Sequence, residues 1–168
     1  MGWSGQSVRV LRHSCNRPNA KMRVCCLDNR VAIRNALKGL VYEIFPPDTM
    51  TPLHDGSSND DATSSSIIVF CMTHARVDAV LTDLYQILQG ARHKKQCPLF
   101  SSHSGMSLLI RQKNLKGWKE EKNSIMVTCP GLAAGIHHDA VTDVIFVDGF
   151  YSLEDFVQGM GRAGRGRE

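Results

Sequence analysis

The chain has 168 residues, 42% of them hydrophobic and 21% charged, the size and apolar content of one globular domain able to bury a core. Twenty lysines and arginines against sixteen acidic residues leave a formal charge of +4, an ordinary balance that does not by itself point to a polyanionic partner. No apolar run approaches the roughly 18 residues of a membrane span and the start lacks an apolar signal core, so a soluble, intracellular protein with no membrane partner is expected.

In chain order, residues 21–27 read as a short strand. Residues 29–44 read as a helix whose inward face carries Ile33, Leu37, Leu40, Val41 and Ile44. The stretch 46–65 holds three prolines and many Ser, Asp and Asn residues but almost no large apolar side chains, which predicts a flexible loop inside the domain. Residues 66–71 (SIIVFC) predict a strand. Val77, Val80, Leu81, Leu84, Ile87 and Leu88 then follow at helical spacing, in a helix ending at Gly90.

A short strand is expected at 98–101, a helix at 107–118 and a strand at 125–128. A glycine-rich loop and a strand at 144–148 come next. Ser152, with Asp155 three residues on, reads as the N-cap of a last helix running through Met160. Short β-branched runs alternating with helical periodicity predict an α/β fold, a parallel sheet with crossover helices.

Six cysteines occur with no CxxC pair, and Cys71 and Cys129 end apolar runs, so reduced thiols in or near the core are expected. Adjacent His137 and His138 rarely aim at one ion and have no suitably spaced Cys or carboxylate, so a loop pair is expected there and no metal site. The basic stretches 92–95 and 111–122 fit solvated helix ends better than a phosphate track, with Trp118 packed on the core.

The most informative segment is Gln158-Gly159-Met160-Gly161-Arg162-Ala163-Gly164-Arg165. Two arginines three apart at a helix end, among small residues, suit the charge that develops on a transferred phosphoryl group. The segment resembles motif VI of RecQ-type superfamily 2 helicases. Four further segments fit that family in order: Cys15 to Asn19 its interdomain Asp-Arg-Pro-Asn joint, 66–76 its motif IV, Ser102 to Met106 its Tyr-His-Ala-Gly-Leu segment, and 127–141 its motif V.

The resemblance implies a RecA-like parallel sheet flanked by helices, a three-layer sandwich, with 1–20 an interdomain linker remnant and 21–168 the helicase C-terminal domain. It makes Arg165 the arginine finger, Arg162 its supporting arginine, and Gln158 a link between nucleotide and DNA. Gly135 and His137 fall on the nucleotide side, with His137 standing where the family has an aspartate. Thr73, His74, Arg76, His103 and Thr128 fall on the nucleic-acid side, Thr73 and His74 replacing a Ser-Arg pair. Either Thr128 or Cys129 occupies the position of the family threonine in motif V.

The implied activity is ATP-dependent 3'-to-5' DNA unwinding in DNA repair and recombination, with ATP and Mg²⁺ as cofactors. Single-stranded or forked DNA would be the partner and the nucleus the location. Neither a GxxxxGK[ST] phosphate loop nor a DExH box occurs in the sequence, so a first RecA-like domain, in cis or in trans, is expected to complete the ATP site. With the chain ending soon after Arg165, the zinc and winged-helix regions of RecQ proteins are also expected to be absent. The alternative expectation is a catalytically silent remnant that binds nucleic acid or a protein partner.

Overall fold

The computed structural model describes residues 23–27, 29–46, 65–90, 97–132 and 138–164. The proposed linker at 1–20, nearly all of the loop at 46–65, the basic run at 92–95, and Gly135, His137 and Arg165 lie outside the described residues.

Helix α1 (Arg30–Ile44) opens on Asn29, whose side chain accepts from the Ala32 amide. Strand β1 (Ser66–Cys71) leads to α2 (His74–Gly90), and β2 (Leu99–Ser102) leads to α3 (Leu108–Glu120). Strand β3 (Ile125–Thr128), a 3-10 turn at Pro130–Leu132, β4 (Val141–Val147) and α4 (Leu153–Met160) complete the fold. Over its described residues, 23–27, the strand expected at 21–27 is not formed: they have no ladder partner and Val24, Cys25 and Cys26 are exposed. A short apolar run without a neighbouring strand to bond has nothing to fix it as sheet. Strand β4 also begins three residues earlier than its apolar run suggested, because Val141 pairs with Ser66 across a register shift.

The four strands are all parallel in the order β2-β3-β1-β4. Every residue of β1 is buried, as expected of a central parallel strand covered on both faces. Ile67, Val69 and Cys71 point to one side, where Val77, Val80, Leu84 and Ile87 of α2 and Leu37 and Val41 of α1 meet them. Ile68 and Phe70 point to the other, against Trp118 of α3, Met126 and Val141. Helix α4 lies on that second face: a side chain at Gly159 would come within 2.5 Å of the Phe146 ring and 3.1 Å of Phe70. The result is the three-layer α/β sandwich. Asp83, almost buried on α2, is reached by Arg30 at 3.5 Å and Arg34 at 4.0 Å, fastening α1 to α2.

Trp118 is fully buried, as the sequence suggested. The cysteines divide. Cys71 is buried, Cys97 and Cys129 are half-buried, and Cys25 and Cys26 are exposed, against the expectation that all would lie in or near the core. Burial pushes the thiols of Cys71 and Cys97 up to about 12, so both stay protonated and poorly nucleophilic near neutral pH. None of the described helices is long and apolar enough to cross a membrane.

Candidate functional site

Parallel strands deliver their following loops to one edge of the sheet, where α/β proteins bind ligands. At this carboxyl edge Thr73 caps α2. Its carbonyl accepts from the amides of Arg76 and Val77, and its Oγ1 accepts from Arg76 at 3.2 Å. Its neighbour His74 opens the helix, exposed, with Nε2 2.9 Å from Ser104 Oγ. The loop after β2 brings His103 over it, the two imidazoles stacked with centroids 4.6 Å apart and 29° between planes. His103 Nε2 is 3.7 Å from Asp78 Oδ1, one helical turn beyond His74. A Cβ on Gly105 would lie 3.1 to 3.3 Å from atoms of both rings, so the loop closes over them because residue 105 has no side chain.

Arg76, expected to face nucleic acid, is engaged elsewhere. Its Nη2 donates to Asp148 Oδ1 at 2.9 Å and its Nε lies 2.6 Å from Oδ2, an ion pair with one hydrogen bond that joins the start of α2 to the end of β4. Asp148 (φ 70°) and Gly149 (φ 108°) form a tight left-handed turn out of β4, a conformation that Asp and Gly tolerate best. The Tyr151 hydroxyl then donates to the Met72 carbonyl. An open cleft of about 580 Å³ lies between these residues and the start of α1, lined by Asn29, Arg30, Met72, Thr73, Arg76 and Asp148 among others. Thr128 is fully buried and its hydroxyl donates to the Ser102 carbonyl at 2.7 Å. That side chain ties β3 to β2 and does not face the edge, a departure from its expected nucleic-acid role. The cause is the final residue of a central strand being covered on both sides.

Arg162 stands at the opposite, amino edge. Helix α4 starts at the carboxyl edge, where Ser152 Oγ accepts from the Asp155 amide, and runs back along the sheet. Beyond it the backbone turns through 161–164, with Arg162 donating from its amide to Gly159 and Gly164 (φ 68°) donating from its amide to the Val141 carbonyl at 2.8 Å. Arg162 is therefore held half-buried near the beginning of β4. Gln158 is exposed on α4 and donates to Glu154 Oε1 at 3.0 Å.

His138, which follows the glycine-rich stretch, is at this same edge. His138 places Nε2 3.2 Å from Ser66 Oγ and sits edge-on to Trp118, with ring centroids 4.6 Å apart. Burial, with a smaller contribution from Lys119, pushes its pKa below the ordinary imidazole value. This ring belongs to the packing of the edge.

Of the residues singled out from sequence, the fold brings Thr73, His74, Arg76 and His103 to the carboxyl edge and sets Arg162 at the amino edge. Sequence reasoning missed Asp78, Asp148 and Tyr151 as contributors, and gave Ser104 and Gly105, inside the segment 102–106, no role of their own. Asp78 had a local signal, lying four residues after His74 on a helix, and Asp148-Gly149 had one in its turn-forming dipeptide. Tyr151 had none.

A family model described as "Helicase conserved C-terminal domain" matches residues 50–167. The chain is 38% identical over 63 residues to "ATP-dependent RNA helicase ddx23" of Dictyostelium discoideum, covering 38% of this chain and 8% of that protein. It is 30% identical over 107 residues to "ATP-dependent RNA helicase MSS116, mitochondrial" of Lodderomyces elongisporus, covering 62% of this chain and 15% of that protein. The chain thus spans under a sixth of the length of either. Its fold is similar to "Mss116p DEAD-box helicase domain 2 bound to an RNA duplex", with TM-score 0.58, 18% identity, and coverage of 80% of this chain and 47% of that one. It is also similar to the C-terminal part of the Fun30 ATPase domain, with TM-score 0.52, 19% identity, and coverage of 84% and 40%.

Proposed function

Because the chain belongs to the helicase conserved C-terminal domain family, and is that domain of a superfamily 2 helicase, we propose that it acts as the second half of an ATP-driven nucleic-acid motor. In this reading Arg162 and Arg165 reach across to ATP and Mg²⁺ held by a first RecA-like domain. Thr73, His74 and His103 meet the phosphate backbone of a single strand. The observation that carries it is the fold-back of 161–164 onto β4, which sets the motif VI turn on the edge of the sheet away from the histidines. A motor needs its nucleotide contacts and its strand contacts joined through one rigid body, and the buried parallel sheet between the two edges supplies that.

The chemistry asked of this chain is electrostatic. A guanidinium aimed at the transferred phosphoryl group offsets charge that builds up only in the transition state. Gln158, exposed on the same helix as that turn, would report nucleotide occupancy along α4. The chain itself carries no phosphate loop, so ATP hydrolysis is expected only with the first domain present.

For the strand, the RecQ-like motif VI and the order of the other motifs favour DNA, tracked 3'-to-5'. The two curated relatives carry RNA helicase in their names, which favours RNA. The test is ATPase rate for the chain alone, for a RecQ-type first RecA-like domain alone, and for their mixture, with single-stranded DNA or RNA of matched sequence. Stimulation by DNA in the mixture supports the RecQ reading, and stimulation by RNA alone overturns it. Strand binding with a silent mixture would make the chain a binding module instead.

A further inference from the structure

We propose that the stacked His74–His103 pair is a proton-coupled phosphate contact, so that this edge takes up a proton when it binds a strand and grips it harder as pH falls. The inference rests on the nucleic-acid reading above and adds to it a regulation of the same edge.

The arrangement is a short chain of groups. Asp78 stands 3.7 Å from His103, His103 stacks on His74 at 4.6 Å, and His74 meets Ser104 at 2.9 Å. His103 is mostly covered, its side chain 12% exposed and its Nδ1 without a hydrogen-bond partner among the described residues. His74 and Ser104 are exposed, so a phosphate would contact that end of the chain.

Histidine alone changes charge in the physiological range. Two imidazolium rings in stacking contact repel, and a single carboxylate, itself 68% exposed, offsets only part of that repulsion. A phosphate seated at Ser104 and His74 supplies the missing negative charge, so phosphate and proton favour one another's binding. Hydrogen bonding works in the same direction. Once His74 is protonated, Nε2–H must donate to Ser104 Oγ, and the Ser104 hydroxyl hydrogen is then free to turn to a phosphate oxygen. The proton comes from solvent and returns to it on release.

The other charged groups nearby do not take over the role. Arg76, on the same first turn of α2, is held by Asp148. Helix α3, which follows the loop, begins with Leu108, Leu109 and Ile110 and brings no charge in its first three residues. Among the described residues Asp78 is the acidic group within ion-pair distance of either ring. An arginine in place of His74 would grip phosphate at any pH; histidine makes the grip conditional.

The test is calorimetric titration of the full chain with oligodeoxythymidylate and with oligouridylate, near pH 7, in two buffers of different ionisation heat, together with affinities at about pH 6 and about pH 8. The expected result is uptake of part of a proton per bound strand and affinity about tenfold tighter at the lower pH. His103→Gln and His74→Gln should flatten that ratio, and His74→Arg should make binding independent of pH. Strand binding without proton uptake by the parent chain overturns the proposal, whatever the variants do, and leaves the nucleic-acid reading standing. An undiminished pH ratio in both glutamine variants overturns it too. Absence of strand binding at every pH would overturn the nucleic-acid reading and this inference with it.

Discussion

The two edges of the sheet are held together differently. At the carboxyl edge the links run through side chains, among them Arg76 with Asp148, His74 with Ser104 and Tyr151 with the Met72 carbonyl. At the amino edge they are mostly backbone, as in Gly164 to Val141 and Ser66 to Ala140, around a histidine packed on a buried tryptophan. Side-chain links between exposed groups contribute little to stability and can be exchanged for a ligand, whereas buried backbone bonds are costly to break. The first edge is suited to trading partners, and the second to holding one turn in one place. On the proposed reading, a strand that must be gripped and released suits the first, and an arginine that must meet a transition state without reorganising suits the second.

The sharpest way to break this comparison is at motif VI. In the reconstituted mixture Arg165→Ala should lower ATPase by about 10³-fold or more while sparing strand binding. Equal rates in mutant and parent would remove the arginine-finger assignment, and with it the functional meaning of the amino edge.

Next in size is Gly159, where α4 meets the Phe146 and Phe70 rings. Gly159→Ala should reduce unfolding free energy by about 1–3 kcal/mol in urea, because the added methyl has to displace packed aromatic carbons. An unchanged or stabilised midpoint would mean that α4 rides more loosely on the sheet than its position implies.

A smaller effect concerns pH. His138 has its pKa lowered in the folded state, so the unfolded chain binds the proton more readily. Its contribution is present above about 6.5 and is lost as pH falls from there toward the folded value. His138→Gln should therefore make the melting temperature less sensitive to acid across that interval, by thermal melts at matched ionic strength. A parallel acid response in both proteins would place the sensitivity elsewhere.

The smallest stability change is expected at the carboxyl edge. Ser104→Ala removes one exposed hydrogen bond and should alter stability by no more than about 0.5 kcal/mol. Strand affinity should fall nonetheless, as measured by fluorescence anisotropy. A large loss of stability with no loss of binding would reverse the roles given to the two edges.

Much of this was legible before any coordinates. SIIVFC read as a strand, the apolar spacing from Val77 to Leu88 as one helix face, and Ser152 with Asp155 marked the start of α4. These are local signals, written in consecutive residues by the periodicities of helix and strand. The segment at 21–27 misled because an apolar run becomes a strand only if another strand lies beside it. Thr128 misled because position in a motif does not reveal which way the last side chain of a strand points.

By itself the sequence determined the α/β class and most element boundaries, because each is carried by neighbours along the chain. Only the tertiary structure decided that His74 and the turn at 161–164 stand on opposite edges, that Arg76 is already paired with Asp148, and that His103 comes to rest on His74. Asp148 is 72 residues from Arg76, and the stacked rings meet across the loop after β2. No local pattern encodes contacts of that separation; they follow from strand order and from a glycine at 105 that leaves the two rings room to meet.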